Sequence, residues 1–87
     1  MSRHQFVGEL TGETSDWIEI DVKNRFAIGD QLELMTPQGN HSFVLEALQD
    51  RNGNAIEVAP GNGHSVRIPR PPLADLKYAL LMRWLPA

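Results

Sequence analysis

Asp21-Val22-Lys23-Asn24-Arg25-Phe26-Ala27-Ile28-Gly29-Asp30-Gln31-Leu32-Glu33-Leu34-Met35-Thr36-Pro37 holds the pattern from which the architecture follows. It joins the ends of two alternating segments. In Trp17 to Val22, residues Ile18, Ile20 and Val22 share one face and Trp17, Glu19 and Asp21 the other. In Gln31 to Met35, Leu32 and Leu34 point inward while Gln31, Glu33 and Met35 point outward. Alternation with period two marks a strand with one buried face. Gly29-Asp30 is the turn between them, because glycine takes positive φ without a steric penalty. Phe26, Ile28, Leu32 and Leu34 are the expected core of this stretch.

On its N-terminal side, Phe6-Val7-Gly8-Glu9-Leu10 reads as a first short strand, ended by the polar cluster Thr11 to Asp16. Pro37-Gln38-Gly39-Asn40 is a turn, followed by a strand from His41 to Leu48. Asn52-Gly53 is a strong hairpin signal, since both residues tolerate positive φ. Ile56 and Val58 share a face of the next short strand, which Pro60-Gly61-Asn62-Gly63 breaks. Val66 and Ile68 share a face of another, stopped by Pro69. Tyr78 to Leu85 is apolar enough for a helix or a buried closing strand. In an otherwise all-strand chain, a strand pairing with the first is the consistent assignment. Six or seven short strands at intervals of about ten residues indicate an all-β fold, a small and mostly antiparallel β-barrel. Closure removes exposed edges that a small domain has little else to cover.

Eighty-seven residues make one domain, 1–87. A chain of this size hides roughly 60–65% of the surface its unfolded form exposes, so the core must be economical. The absence of cysteine excludes a disulfide framework, a thiolate metal site and a thiol nucleophile. Eight basic against eleven acidic residues leave a net charge of −3, unlike domains that grip phosphate backbones by bulk charge. No apolar run approaches a membrane helix, and Met1 to Gln5 leads straight into a strand rather than an apolar leader. A cytoplasmic location is expected.

Candidate chemistry is sparse. His4, His41 and His64 lie in different segments without zinc-ligand spacing, so no metal or other cofactor is expected in this domain. There is no nucleophile elbow. Asp16, Glu19, Asp21, Asp30 and Glu33 fall on the solvent side of the strands. Pro60 to His64 is glycine-rich but lacks the spacing and helix of a phosphate loop; Gly61, Asn62, Gly63 and His64 are a candidate contact loop. The aromatic residues Trp17, Phe26, Tyr78 and Trp84 are expected to fill the core. Lys23 and Arg25 beside Asn24 form the one tight basic cluster. With Arg67 they are the candidate RNA contacts. From the residues alone, the reading is a small β-barrel interaction domain.

Three ordered motifs take it further: Asp21 to Phe26, Gly29 to Asn40, and Val58-Ala59-Pro60-Gly61-Asn62-Gly63-His64. Together with Tyr78 to Arg83 they resemble the C-terminal domain of the collagenase-like peptidases, the U-thirty-two family. The likeness is strongest to its long bacterial members, associated with hydroxylation of the tRNA wobble uridine. The resemblance implies a small barrel similar to those of translation factors, attached behind a large catalytic domain that carries an iron–sulfur cluster. The chain would then be an excised C-terminal domain, and none of the family's catalytic residues matches a position here. Two functions follow as expectations. One is a non-catalytic accessory domain that helps its parent bind or position tRNA. The other is a structural module that packs on the catalytic domain or mediates dimerisation. The partners implied are that catalytic domain and tRNA, with no membrane.

Overall fold

The computed structural model describes residues 3–86. Nine strands run through them: β1 (His4–Glu13), β2 (Trp17–Val22), β3 (Phe26–Ala27), β4 (Gln31–Thr36), β5 (Gly39–Val44), β6 (Gln49–Asp50), β7 (Val58–Ala59), β8 (Ser65–Pro69) and β9 (Leu80–Trp84). There is no helix among the described residues, hence none long and apolar enough to cross a membrane. Three strands have only two residues, which accounts for the excess over the six or seven expected.

Seven strands form one sheet in the order β5-β4-β9-β1-β2-β8-β6, and β3 pairs with β7. All these ladders are antiparallel. The last strand lies against the first, with His4 opposite Trp84 and Glu9 opposite Leu80. Its other edge pairs with β4, so the closing-strand assignment holds for Leu80–Trp84. The sheet's outer strands, β5 and β6, are linked through Leu45 to Leu48 rather than by a ladder. The sheet wraps round a single core in barrel-like fashion.

That core follows from the alternation. Ile18, Ile20 and Val22 of β2, Leu32 and Leu34 of β4, Val66 and Ile68 of β8, and Leu81 of β9 are all buried, with Phe26 among them. Fully burying such a side chain is worth about 1.5–3 kcal/mol relative to leaving it in water. β1 is the organiser because it pairs along both edges and bulges on each. Its register slips between Phe6 and Gly8 against β9, and between Leu10 and Gly12 against β2. Bulges bend a strand and raise its twist, which a wrapped sheet requires.

Several sequence-based expectations are corrected. β5 ends at Val44, not Leu48. Leu45 and Leu48 are both buried, a spacing of three that period-two alternation forbids. Leu45 has left the ladder: its N–H donates to Asp30 O (2.9 Å) and its carbonyl accepts from Gly29 N (2.8 Å). Ile28 is 41% exposed rather than core. It occupies the second position of the Ala27–Asp30 turn, closed by Asp30 N to Ala27 O at 3.1 Å, where side chains project outward. Val58 is exposed and its neighbour Ala59 takes the buried place. Of the four aromatic residues expected in the core, only Phe26 is fully buried. Trp17 is half-buried and Trp84 packs edge-on against the His4 ring, centroids 5.0 Å apart. Tyr78 is exposed.

Asn52-Gly53 does make a turn, held by one carboxylate. Asp50 Oδ1 accepts from Asn52 N (2.9 Å) and Asn54 N (3.0 Å), while Gly53, at φ 85°, closes the turn through Asp50 O. Chiefly through the backbone bond from Asn54, these contacts hold the Asp50 carboxyl below its ordinary range. A depressed folded-state pKa adds stability above the unfolded value that is lost as pH falls through the folded one. The stability difference between wild type and Asp50→Asn is therefore expected to be constant near neutral pH. It should shrink below about pH 4, as read from urea midpoints across a pH series.

Candidate nucleic-acid interface

The turn from β2 to β3 carries Lys23, Asn24 and Arg25, and its shape is set by β1. Val7 is the extra residue of the bulge against β9, and its carbonyl accepts from both Lys23 N (2.8 Å) and Asn24 N (3.2 Å). The Asn24 amide donates to Phe6 O at 2.8 Å. Asn24 is thus a brace, with its side chain already engaged. The turn it holds presents Arg25, which is exposed and joins no ion pair among the described residues.

The glycine-rich loop lies across from this turn. Phe26 pairs with Ala59 just before the loop, and Val22 N donates to His64 O (2.9 Å) at its end. Residues 23–25 and 60–64 are therefore two connections between the same pair of anchors. The fold brings together two segments that lie more than thirty positions apart in sequence. Gly61 (φ 135°) and Gly63 (φ 92°) adopt backbone conformations that other residues rarely take. A Cβ on either would meet nothing within 4 Å, so these glycines shape the loop rather than relieve crowding. Asn62 and Gly63 are exposed, as is His64, whose Nδ1 lies 3.2 Å from Gly61 O.

Arg67 is placed elsewhere. It sits within β8, opposite Glu19 on one side and Gln49 on the other. Lys23 is itself engaged, its Nζ 2.9 Å from Asp21 Oδ2. Asp21, with a further contribution from Glu9, raises the Lys23 pKa above its ordinary value. Lys23, Arg25 and Arg67 do not form one continuous positive strip. What converges is Arg25, the Lys23–Asp21 pair and the loop 60–64.

An ion pair at the same end of the strands escapes a reading by alternation. Asp30, expected on the solvent side, accepts through its Oδ2 from Arg83 Nε (2.9 Å) and from Ala27 N (2.8 Å), and both side chains of the pair are about one-fifth exposed. This carboxylate ties the Gly29 turn to the last strand. A separate hollow of about 370 Å³ is lined by Trp17, Ile28 and Ile56, with Glu46 and Glu57 among its walls. Two carboxylates make it a poor host for phosphate. No cluster of potential metal ligands occurs among the described residues.

Comparison with known proteins agrees with this architecture. The chain is 54% identical over 82 residues to tRNA hydroxylation protein P of Escherichia coli, and 46% identical over 83 residues to the protein of the same name from Haemophilus influenzae. Each match covers 93% of this chain and 18% of the relative, so the chain spans about a fifth of their length. Among solved structures it is similar to the C-terminal domain of a Geobacillus thermoleovorans protein assigned to the U32 peptidases. That match has a TM-score of 0.77 and 26% identity, and covers 94% of this chain and 93% of the other. A selenomethionine form of that domain gives a TM-score of 0.78 at 24% identity, over 91% and 98% of the two chains, a likeness of fold alone. The profile of the peptidase family U32 C-terminal domain matches residues 2–83: the chain belongs to that family.

Proposed function

We propose that this domain is a non-catalytic accessory module of a tRNA-hydroxylating parent protein, and that it helps hold tRNA for the parent's catalytic domain. The observation that carries the reading is the identity of about half its residues with two proteins named for tRNA hydroxylation. What supports it in the geometry is the rigid turn that presents Arg25, facing the exposed loop 60–64. A guanidinium is suited to phosphate because its planar donors match the oxygens in pairs. The exposed Asn62 and His64 bring further hydrogen-bonding groups on the neighbouring loop. In this reading any iron–sulfur cluster belongs to the portion of the parent this chain lacks, the work is cytoplasmic, and the domain contributes contacts rather than chemistry.

The test is charge reversal of Lys23 and Arg25 together in the full-length parent. Weaker tRNA binding is expected, with the salt dependence of the affinity reduced by about one unit of log–log slope for each phosphate no longer engaged. Unchanged tRNA binding together with unchanged uridine modification would sink the proposal. A second reading, a module that docks on the catalytic domain or mediates dimerisation, is favoured by the net charge of −3 and by the hollow at Trp17, Ile28 and Ile56. It predicts that Ile28→Glu disturbs assembly of the parent while leaving tRNA affinity as it was.

A further inference from the structure

Tyr78 stands in a conformation that its own turn disfavours. Ala79 N donates to Leu76 O at 3.1 Å, so Leu76 to Ala79 form a β-turn with Tyr78 in the third position. Its φ is 62°, the one positive value among the non-glycine residues described. That position of a turn ordinarily takes glycine or asparagine when φ is positive, and a bulky residue there is an outlier. Core packing does not offset the strain, because Tyr78 is 80% exposed, more than any other large apolar or aromatic side chain described. Strained backbone of this kind collects at sites that bind or react. The fold holds the ring out in water at a cost.

The surroundings indicate what the ring meets. Tyr78 shares a cleft of about 220 Å³ with Pro37, Gln38, Asp75 and Lys77. That is smaller than the roughly 300–1,000 Å³ typical of small-molecule pockets, and suits a single planar ring rather than a whole ligand. Beside the apolar surface that a planar ring would cover, the lining residues Gln38, Asp75 and Lys77 bring an amide, a carboxylate and an ammonium, a mixture of donors and acceptors that suits the polar edge of a base. Asp75 Oδ1 accepts from Lys77 N (2.9 Å), which fixes the carboxylate at the turn's entrance. Lys77 joins no ion pair among the described residues, so its charge is available to a phosphate.

We infer that Tyr78 is a stacking platform for one unpaired nucleobase of a single-stranded RNA segment, with Gln38 and Asp75 at the base edge and Lys77 at the adjoining phosphate. This rests on the RNA-binding reading above but names a different place. Tyr78 precedes β9 where Lys23 follows β2, so the two lie towards opposite ends of the strands, in a molecule 38 Å along its longest axis. A folded RNA is large enough to touch both.

The experiment uses the 87-residue chain with oligouridylate and oligoadenylate as probes. Tyr78 is the one tyrosine, so its ring protons are assigned without ambiguity. Stacking is expected to move them upfield on addition of either oligonucleotide. Tyr78→Phe should bind like wild type. Tyr78→Gly should lower the affinity about five- to 150-fold, the range for removing one stacked aromatic, while its Tm stays level or rises. Wild-type binding that Tyr78→Gly leaves unchanged overturns the platform and spares the Lys23–Arg25 reading. Failure of wild type to bind any RNA, tRNA included, overturns both. A marked fall in Tm on Tyr78→Gly would make the residue structural. Loss of association with the rest of the parent, at unchanged RNA affinity, would assign the surface to protein docking. Either result overturns the inference.

Discussion

Gly8→Ala is expected to destabilise the domain more than any other single-methyl change, by about 3 kcal/mol. Gly8 lies within β1, opposite Val22 on one side and Leu81 on the other. A Cβ built there would fall 2.5 Å from Ile20 Cγ2 and 2.7 Å from Asp21 O. The isoleucine methyl sits on the Cβ of a β-branched, fully buried side chain and yields little. The carbonyl yields still less, because it belongs to the β2 backbone, whose neighbouring residues are paired on both edges. Relief would require β1 and β2 to separate where they also anchor the Lys23–Arg25 turn. A domain of this size has about 4–13 kcal/mol of net stability, so the loss is a large fraction of the total. The expected fall in Tm is roughly 12–24 °C at 4–8 °C per kcal/mol, measured by thermal unfolding followed by circular dichroism. A fall of only a degree or two would show that the sheet spreads there easily.

Gly8 also shows what kind of information the sequence carries. A lone glycine inside an alternating segment is a known sign of a bulge or of close backbone approach, so the signal is there to be read. Which neighbour it approaches is not, since that depends on β1 lying between β2 and β9. Elements whose faces are decided by local alternation are legible in this way: β2, β4 and β8 fall where their period-two patterns put them, whereas the closing strand, an apolar run without such a pattern, follows only from consistency with the rest of an all-strand chain. Segments where the backbone leaves the ladder are not. Leu45 is held by the Gly29 turn and Ile28 is turned out by it, while the Leu48 carbonyl is bonded to Ile56 N; none of this follows from a residue's place in an alternating pattern.

The candidate interface is legible in part. The basic turn and the glycine-rich loop are each conspicuous as local composition. Their convergence rests on two long-range pairings, Phe26 with Ala59 and Val22 with His64, that no local pattern encodes. The same limit conceals how the cations are spent. Asp21 engages Lys23 across the strand end, and Arg67 stands opposite Glu19. Counting basic residues along the chain overstates the positive charge at the candidate interface, where Arg25 is the exposed member without an ion-pair partner among the described residues.

The second large effect is expected at the ion pair between β9 and the Gly29 turn. Asp30→Ala removes the acceptor for Arg83 Nε and for Ala27 N together. The Arg83 and Asp30 side chains lie mostly out of water and the Ala27 N–H bond is partly buried, so the change leaves a guanidinium and a backbone N–H poorly solvated. Exposed ion pairs contribute about 0–1 kcal/mol and removal of one partner of a fully buried pair costs about 3–5. A pair about one-fifth exposed belongs between these, and about 2 kcal/mol is the expected cost. Asp30→Asn keeps an acceptor for Ala27 N but not the charge, and should cost about half as much, since a neutral hydrogen bond is roughly half the strength of a charge-assisted one. Arg83→Met keeps much of the stem's packing and removes the charge from the other side. In a double-mutant cycle with Asp30→Ala, measured by urea unfolding, the two losses should fall short of additivity by about 1 kcal/mol. Full additivity would mean that Asp30 acts only as the cap of its own turn. The interaction then could not help to seat the closing strand, and the persistence of β9 would rest on its ladders with β1 and β4 alone.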